Sequence, residues 1–286
     1  MTDVNKIQLV GYLTEDIDVR TLPSGVAVTD LNIQVKARFQ KDDGTDGIAT
    51  SFHTVTVWGQ SATFLQQYGH KGSQVYISGR LKTDSWEDDQ AQKKYKTKVV
   101  ADRFGGVTLL DPRVPLSPLD ETFAVAGGLN RVDVLGNVTK DLEMRQTPNG
   151  RNVVNFSVAT NRKWKDTASG EDREETEFHN VVAWMRLAED AEKILKKGQR
   201  AFVSGQLTKR SWETPTGEKR YATEIIADQI LALGHPATDL ASGKANRSEE
   251  EAVPPEKSQE MASNPQDINV PEINYESEIR PEDLPF

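Results

Sequence analysis

Four separate stretches of the first half of this chain reappear in the second half. "NKIQLVGYLTEDIDVRTLPSG" (5–25) aligns with "NRVDVLGNVTKDLEMRQTPNG" (130–150) at an offset of 125. "SFHTVTVW" (51–58) aligns with "EFHNVVAW" (177–184) at an offset of 126. "KGSQVYISGRLKTDSWE" (71–87) and "KYKTKVVAD" (94–102) match "KGQRAFVSGQLTKRSWE" (197–213) and "RYATEIIAD" (220–228). A period of this length is far above the 20–50 residues of a solenoid unit, so it marks a duplicated domain. The reading divides the chain into a first unit (1–110), a linker (111–122), a second unit (123–234) and a tail (235–286). The linker holds three prolines in "DPRVPLSPLDE" (111–121), which argues for an extended connection.

Composition separates the tail from the body. The chain has a net charge of −9, but residues 235–286 contain 12 acidic and 4 basic side chains. Residues 1–234 keep 32 acids and 31 bases, so charge does not exclude a polyanion partner for the body. The tail is poor in apolar residues and rich in Glu, Ser, Pro and Asn. It cannot bury enough surface to offset its ordering entropy, and is expected to be disordered. The chain has no cysteine, which removes disulfides and thiolate metal sites. No stretch approaches the roughly 18 apolar residues of a membrane helix, and the N-terminus lacks signal-peptide features. These features predict a cytoplasmic protein with no membrane role.

Within each copy, "KIQLVGYL", "VAVTDLNIQVKARF", "SFHTVTVWG", "QVYISGRLKTDSWE" and "KYKTKVV" alternate or run apolar in the manner of strands. Residues 61–72 and 186–198 instead carry apolar residues at helical spacing. Leu187, Ala191, Ile194 and Leu195 fall on one face, and Gly198 is suited to end the helix. Each copy therefore reads as three strands, a helix and two strands. The predicted fold is mainly β: two tandem five-stranded OB-fold barrels, each with one helix between strands three and four, followed by the disordered acidic tail. A generic α+β sandwich is the competing architecture.

Strand phase locates the candidate site. Side chains alternate across a strand. Phe52, Thr54, Thr56 and Trp58 share one face, against His53, Val55 and Val57. Phe178, Asn180, Val182 and Trp184 likewise oppose His179, Val181 and Ala183. Arg80, Lys82, Asp84 and Trp86 oppose Leu81, and Gln206, Thr208, Arg210 and Trp212 oppose Leu207. Phe39 and Trp164 sit among bases where the second strand ends. A tryptophan in a small barrel commonly fills the core, but the valines on the other phase claim the core here. Rings mixed with cations suit single-stranded nucleic acid. A base stacked on an exposed ring contributes roughly 1–3 kcal/mol whatever its identity, while Lys and Arg meet the phosphates.

Both copies resemble the bacterial single-stranded-DNA-binding (SSB) family. The resemblance is carried by the paired "NKIQLVGYLTEDIDVR" and "NRVDVLGNVTKDLEMR" segments, the "FH" strands, and the "KGSQVYISGRLKTDSW" and "KGQRAFVSGQLTKRSWE" strands. It implies non-catalytic coating of single-stranded DNA in replication, recombination and repair, in the cytoplasm and at the nucleoid. It places stacking rings at Phe39, Phe52, Trp58, Trp86, Trp164, Phe178, Trp184 and Trp212. The neighbouring cations Lys36, Arg38, Arg80, Lys82, Arg162, Lys163, Lys165, Lys209 and Arg210 are expected on phosphates. It also implies assembly of four barrels, hence a homodimer of this two-barrel chain. The ending "PEDLPF" resembles the family's acidic tip, which docks into replication and repair proteins. The docking residues would be Glu282, Asp283, Leu284, Pro285 and Phe286.

The first copy departs from the pattern where "EDDQ" follows Trp86, which predicts weaker DNA binding there. An enzyme is the rival class. The sequence has no phosphate-loop or H-E-x-x-H motif, and His53 and His179 face the valine side, which fits structural residues. "EDREETE" (171–177) reads as a solvated loop rather than a metal cluster. No cofactor and no metal are expected. An OB-fold RNA-binding or protein-docking module is the second rival.

Overall fold

The computed structural model describes residues 2–40, 46–87, 93–110, 128–166, 169–213 and 219–234. The side chains of residues 38–40, 46, 93, 212, 213, 219 and 220 lie outside that description. So do the linker from 111 to 122 and the tail with its tip.

The first copy forms β1 (Val4–Leu13), β2 (Arg20–Thr21), β3 (Ala27–Gln40), β4 (Asp46–Trp58), α1 (Gln60–Tyr68), β5 (Gln74–Glu87), β6 (Lys93–Ala101) and β7 (Val107–Leu109). The second forms β8 (Leu129–Val138), β9 (Met144–Gln146), β10 (Asn152–Lys165), β11 (Asp172–Trp184), α2 (Met185–Ile194), β12 (Arg200–Glu213) and β13 (Lys219–Leu233). The five long strands of the first copy close in the cycle β1–β3–β4–β6–β5–β1. The second closes identically through β8–β10–β11–β13–β12–β8. In each, the only parallel contact among these five is between the third and fifth strands. These are two five-stranded barrels, as the strand and helix order implies. The short strands β2, β7 and β9 are additions that sequence periodicity does not reveal.

The strand phases put Ile7, Leu9, Ile33, Val55, Val57 and Ile77 inside the first barrel, and Val132, Val134, Phe156, Val158, Val181 and Val203 inside the second. Each fully buried aliphatic contributes on the order of 1.5–3 kcal/mol. Strong strand coiling needs close backbone crossings. A Cβ on Gly79 would lie 2.4 Å from the Val100 carbonyl oxygen, and one on the equivalent Gly205 would lie 2.1 Å from that of Ile226. Only glycine fits where these strands bend to close the barrels.

The helices plug one end of each barrel through Ala62 and Leu65, and through Ala188 and Ala191. The second is shorter than its periodicity suggests. It ends at Ile194, which is exposed, while Leu195 is buried in extended backbone. Gly198 (φ 81°) serves the turn into β12 rather than the helix end, and its N–H donates to the Val138 carbonyl. Helical spacing carried past residue 194 because "ILKKG" keeps an apolar residue in phase after the backbone has left the helix.

The two barrels are one body. β1 pairs antiparallel with β8 from Val4↔Leu135 to Val10↔Leu129. Ile7 faces Val132, its own repeat equivalent, so the register places a local two-fold axis between them. A four-stranded run β5–β1–β8–β12 therefore crosses both barrels. Arg200 bonds the Asp3 carboxylate at 2.7 Å and the Thr2 carbonyl at 2.9 Å, tying the chain start to the second barrel. Lys82 reaches Glu175 at 2.8 Å, and the Thr83 N–H donates to Glu177 at 2.9 Å.

His53 and His179 are buried, at 6% and 4% exposure. Their Nε2 atoms lie 2.8 Å from the Ser51 and Thr160 hydroxyls. Burial pushes both imidazoles down to about 4, with the Lys209 charge adding to the effect at His53. Both remain neutral when folded and take up protons on unfolding near the ordinary 6.5. Stability should thus fall as pH drops from about 6.5 towards 4, by about 1.4 kcal/mol per pH unit for each group. Burial raises the Glu177 pKa, which opposes this trend, but as one group against two. Urea unfolding at pH 7 and pH 5 should show the loss, and His53→Gln/His179→Gln should flatten it. Identical stabilities at the two pH values would contradict the assignment.

Candidate nucleic-acid interface

Alternation in β4 puts His53, Val55 and Val57 into the barrel and turns Phe52 and Trp58 outward. Phe52 is 58% exposed, Trp58 41% and Trp86 48%. Three rings of the first barrel therefore offer surface to solvent from β4 and β5. Phe39 lies on β3, outside the described side chains.

The second barrel arranges the same positions differently. Phe178 is half-buried. Trp164 is half-buried beneath the Arg162 guanidinium, 5.0 Å from its ring centroid. This contact holds a cation and a ring together at the end of β10, as their spacing suggested. Trp212 belongs to β12, and its side chain lies outside the described set. Trp184 corrects the expectation of an exposed ring: it is only 8% exposed and packs with Val153, Val182 and Ile226. The cause lies in its neighbour. The first copy has Thr56 where the second has Val182. Thr56 donates to Asp30 at 2.6 Å, and Arg20 bonds the same carboxylate at 2.9 Å. That polar wall gives Trp58 no apolar slot, whereas Val182 and Ile226 give Trp184 one. Burial alone would raise the Asp30 pKa, but the bonds from Thr56 and Arg20 hold it below the ordinary value.

The expected phosphate contacts divide by partner. Lys165 and Lys209 are exposed and, among the described residues, make no ion pair. Arg162 is exposed beside its ring, and Lys36 is half-buried on β3. Lys163 pairs with Glu174 at 3.3 Å and Lys82 with Glu175, so a phosphate at either would have to displace a carboxylate. Arg210 lies 3.7 Å from Glu224 within the second barrel. The Arg38 side chain is outside the described set. Arg80 is half-buried, and burial together with the like charge of Arg162 lowers its pKa. Two cations brought together from different barrels suit an anion between them.

Sequence reasoning did not single out Lys96 and Lys98. Both lie on β6, on the phase opposite Val99. Their repeat equivalents are Ala222 and Glu224. The signal was present in "KYKTKVV", whose lysines alternate with the apolar residues. Lys98 bonds Asp84 at 2.5 Å, the reverse polarity of the Arg210–Glu224 pair in the same slot of the second barrel. The first barrel, which carries "EDDQ" in its sequence, thus exposes three rings and has Lys96 and Lys98 where the second has Ala222 and Glu224. Residues 88–90 of that stretch lie outside the description.

Among the described residues, no cluster of His, Asp and Glu could hold a metal ion, and no helix is long and apolar enough to cross a membrane. The model of the single-strand binding protein family matches twice, over residues 4–107 and 129–233. The chain is similar to the single-stranded DNA-binding protein of Thermus aquaticus, with 32% identity over 85% of this chain and 89% of that one. It is 30% identical to that of Deinococcus radiodurans, over 85% and 79%. The crystal structure of the wild-type Thermus aquaticus protein superposes with a TM-score of 0.63 at 27% identity, covering 87% of this chain and 98% of that chain. The duplicated barrel, its ring-bearing strands and two matches spanning both copies show that this chain belongs to the single-strand binding protein family.

Proposed function

We propose that this chain binds single-stranded DNA without sequence preference and without catalysis, by stacking bases on exposed rings and pairing phosphates with nearby cations. The observation that carries this is the outward phase of Phe52, Trp58 and Trp86 beside Arg80, Lys96 and Lys98. The names of its relatives in Thermus and Deinococcus support the same ligand. A coat of this kind serves replication, recombination and repair, in the cytoplasm and at the nucleoid. Each of the two units, 1–110 and 123–234, supplies one barrel, joined by a linker at 111–122.

We propose further that two chains associate. The outward side of the central sheet carries Tyr76 and Phe202, Val10 and Leu135, and Leu129 and Val4, pairs related by the local two-fold. Apolar rows repeated about such an axis suit an isologous contact. Sedimentation at micromolar concentration should give twice the 31.8 kDa chain mass, and a single-chain mass would contradict it.

The tail reading extends from the acidic tip. Glu282 and Asp283 supply charge, Phe286 a ring, and Pro285 a restricted backbone. A basic-rimmed apolar pocket on a replication or repair protein would read all of these. Deleting 281–286 should abolish such binding and leave DNA affinity equal or higher; undiminished partner binding would refute the docking role.

Ring substitutions test the DNA reading itself. Trp58→Ala or Trp86→Ala should each weaken oligo(dT) binding by roughly 1–3 kcal/mol, measured by anisotropy. Trp184→Ala should act mainly on thermal stability, through the slot it leaves empty. Equal affinity losses at Trp58 and Trp184, or none at Trp58, would overturn the assignment of exposed rings.

A further inference from the structure

We propose that the cleft between the barrels, lined by Phe52, Lys96, Lys98, Thr208, Lys209 and Thr223, is a phosphodiester-binding crossing through which a single strand passes from the first barrel to the second. This rests on the single-stranded DNA reading and adds residues and a route to it. Four strands build the cleft: β4 and β6 from one barrel, β12 and β13 from the other. Phe52 supplies an exposed ring on its wall. Lys96 and Lys209 are exposed and, among the described residues, are in no ion pair. Lys98 is held by Asp84.

The local two-fold relates this crossing to a second one, and the two are not equivalent. At the second, β11 brings Glu175 and Glu177 against Lys82 and the Thr83 N–H of β5. These carboxylates fasten one barrel to the other and neutralise the cation there. At the first, the residues equivalent to Glu175 and Glu177 are Ala49 and Ser51. Among the described residues no carboxylate fastens that side, Lys209 replaces Thr83, and Lys96 replaces Ala222. Cations that no described carboxylate satisfies, facing one another across a seam beside an exposed ring, fit a backbone phosphate with its base stacked alongside. From Lys209, β12 runs on through Arg210 to Trp212, so a strand leaving Phe52 meets the ring strand of the second barrel.

The test compares Lys96→Ala/Lys209→Ala with the unaltered full chain on two oligo(dT) ligands. One, of about 12 nucleotides, fits a single OB barrel; the other, of about 35, spans both. The variant should lose only about three-fold on the short ligand, where each lysine can meet a phosphate singly. It should bind the long one on the order of ten-fold more weakly, with the log–log salt slope shallower by about 1.4. Lys96→Arg/Lys209→Arg should restore the long-ligand affinity. Equal losses on both ligands would make these lysines single-barrel contacts and overturn the crossing, as would no loss on either. Tighter binding of both ligands would mean that the cleft holds the chain's own acidic segment, which also overturns it. If the unaltered chain bound neither ligand, the single-stranded DNA reading itself would fall.

Discussion

The antiparallel pairing of β1 with β8 is the interaction on which the remaining geometry depends. It satisfies edges that would otherwise leave two first strands with unpaired backbone groups on this side. It joins two barrel cores into one continuous buried cluster. Because Ile7 meets its own equivalent Val132, the pairing also fixes a two-fold relation between the copies. The other described contacts between the barrels lie around that register. The Asp3–Arg200 pair, the Lys82–Glu175 pair and the cleft beside Phe52 all sit where the two-fold brings β3, β4, β5 and β12 into reach.

Within that frame the copies have diverged in charge and in ring exposure, not in fold. The slot held by Asp84 and Lys98 in one barrel holds Arg210 and Glu224 in the other, with sign reversed. Thr56 keeps Trp58 in the open, while Val182 draws Trp184 in. A polar-to-apolar difference beneath the ring accompanies its change from exposed platform to packed side chain. The duplicated binding surface is asymmetric even though the duplicated backbone is not.

The strand phases carried most of this. Alternation in "FHTVTVW" alone placed His53, Val55 and Val57 inside and Phe52 and Trp58 outside, as found. The same alternation failed for Trp184, because phase gives the side of a strand but not what covers that side. The cover comes from Ile226 on β13, 42 residues further along the chain, and local periodicity cannot register it. The β1–β8 join was hidden for a related reason. Strand–strand register between domains is a non-local choice, and both strands read as ordinary barrel members. Lys96 escaped notice because it lies in a lysine-rich stretch whose seam position appears only once the barrels are docked.

Intrinsic tryptophan fluorescence during titration with oligo(dT), repeated at several salt concentrations, tests the central claim most directly: that the joined barrels present their rings as one single-strand surface. Five tryptophans report, of which Trp184 packs with Val153, Val182 and Ile226. The account predicts strong quenching by single strands and little by duplex. It predicts saturation only once each chain covers more nucleotides than the roughly 4–16 of a single OB barrel. Quenching absent with single strands, or equal with duplex, would mean that the rings do not stack bases, and would contradict the account at its base.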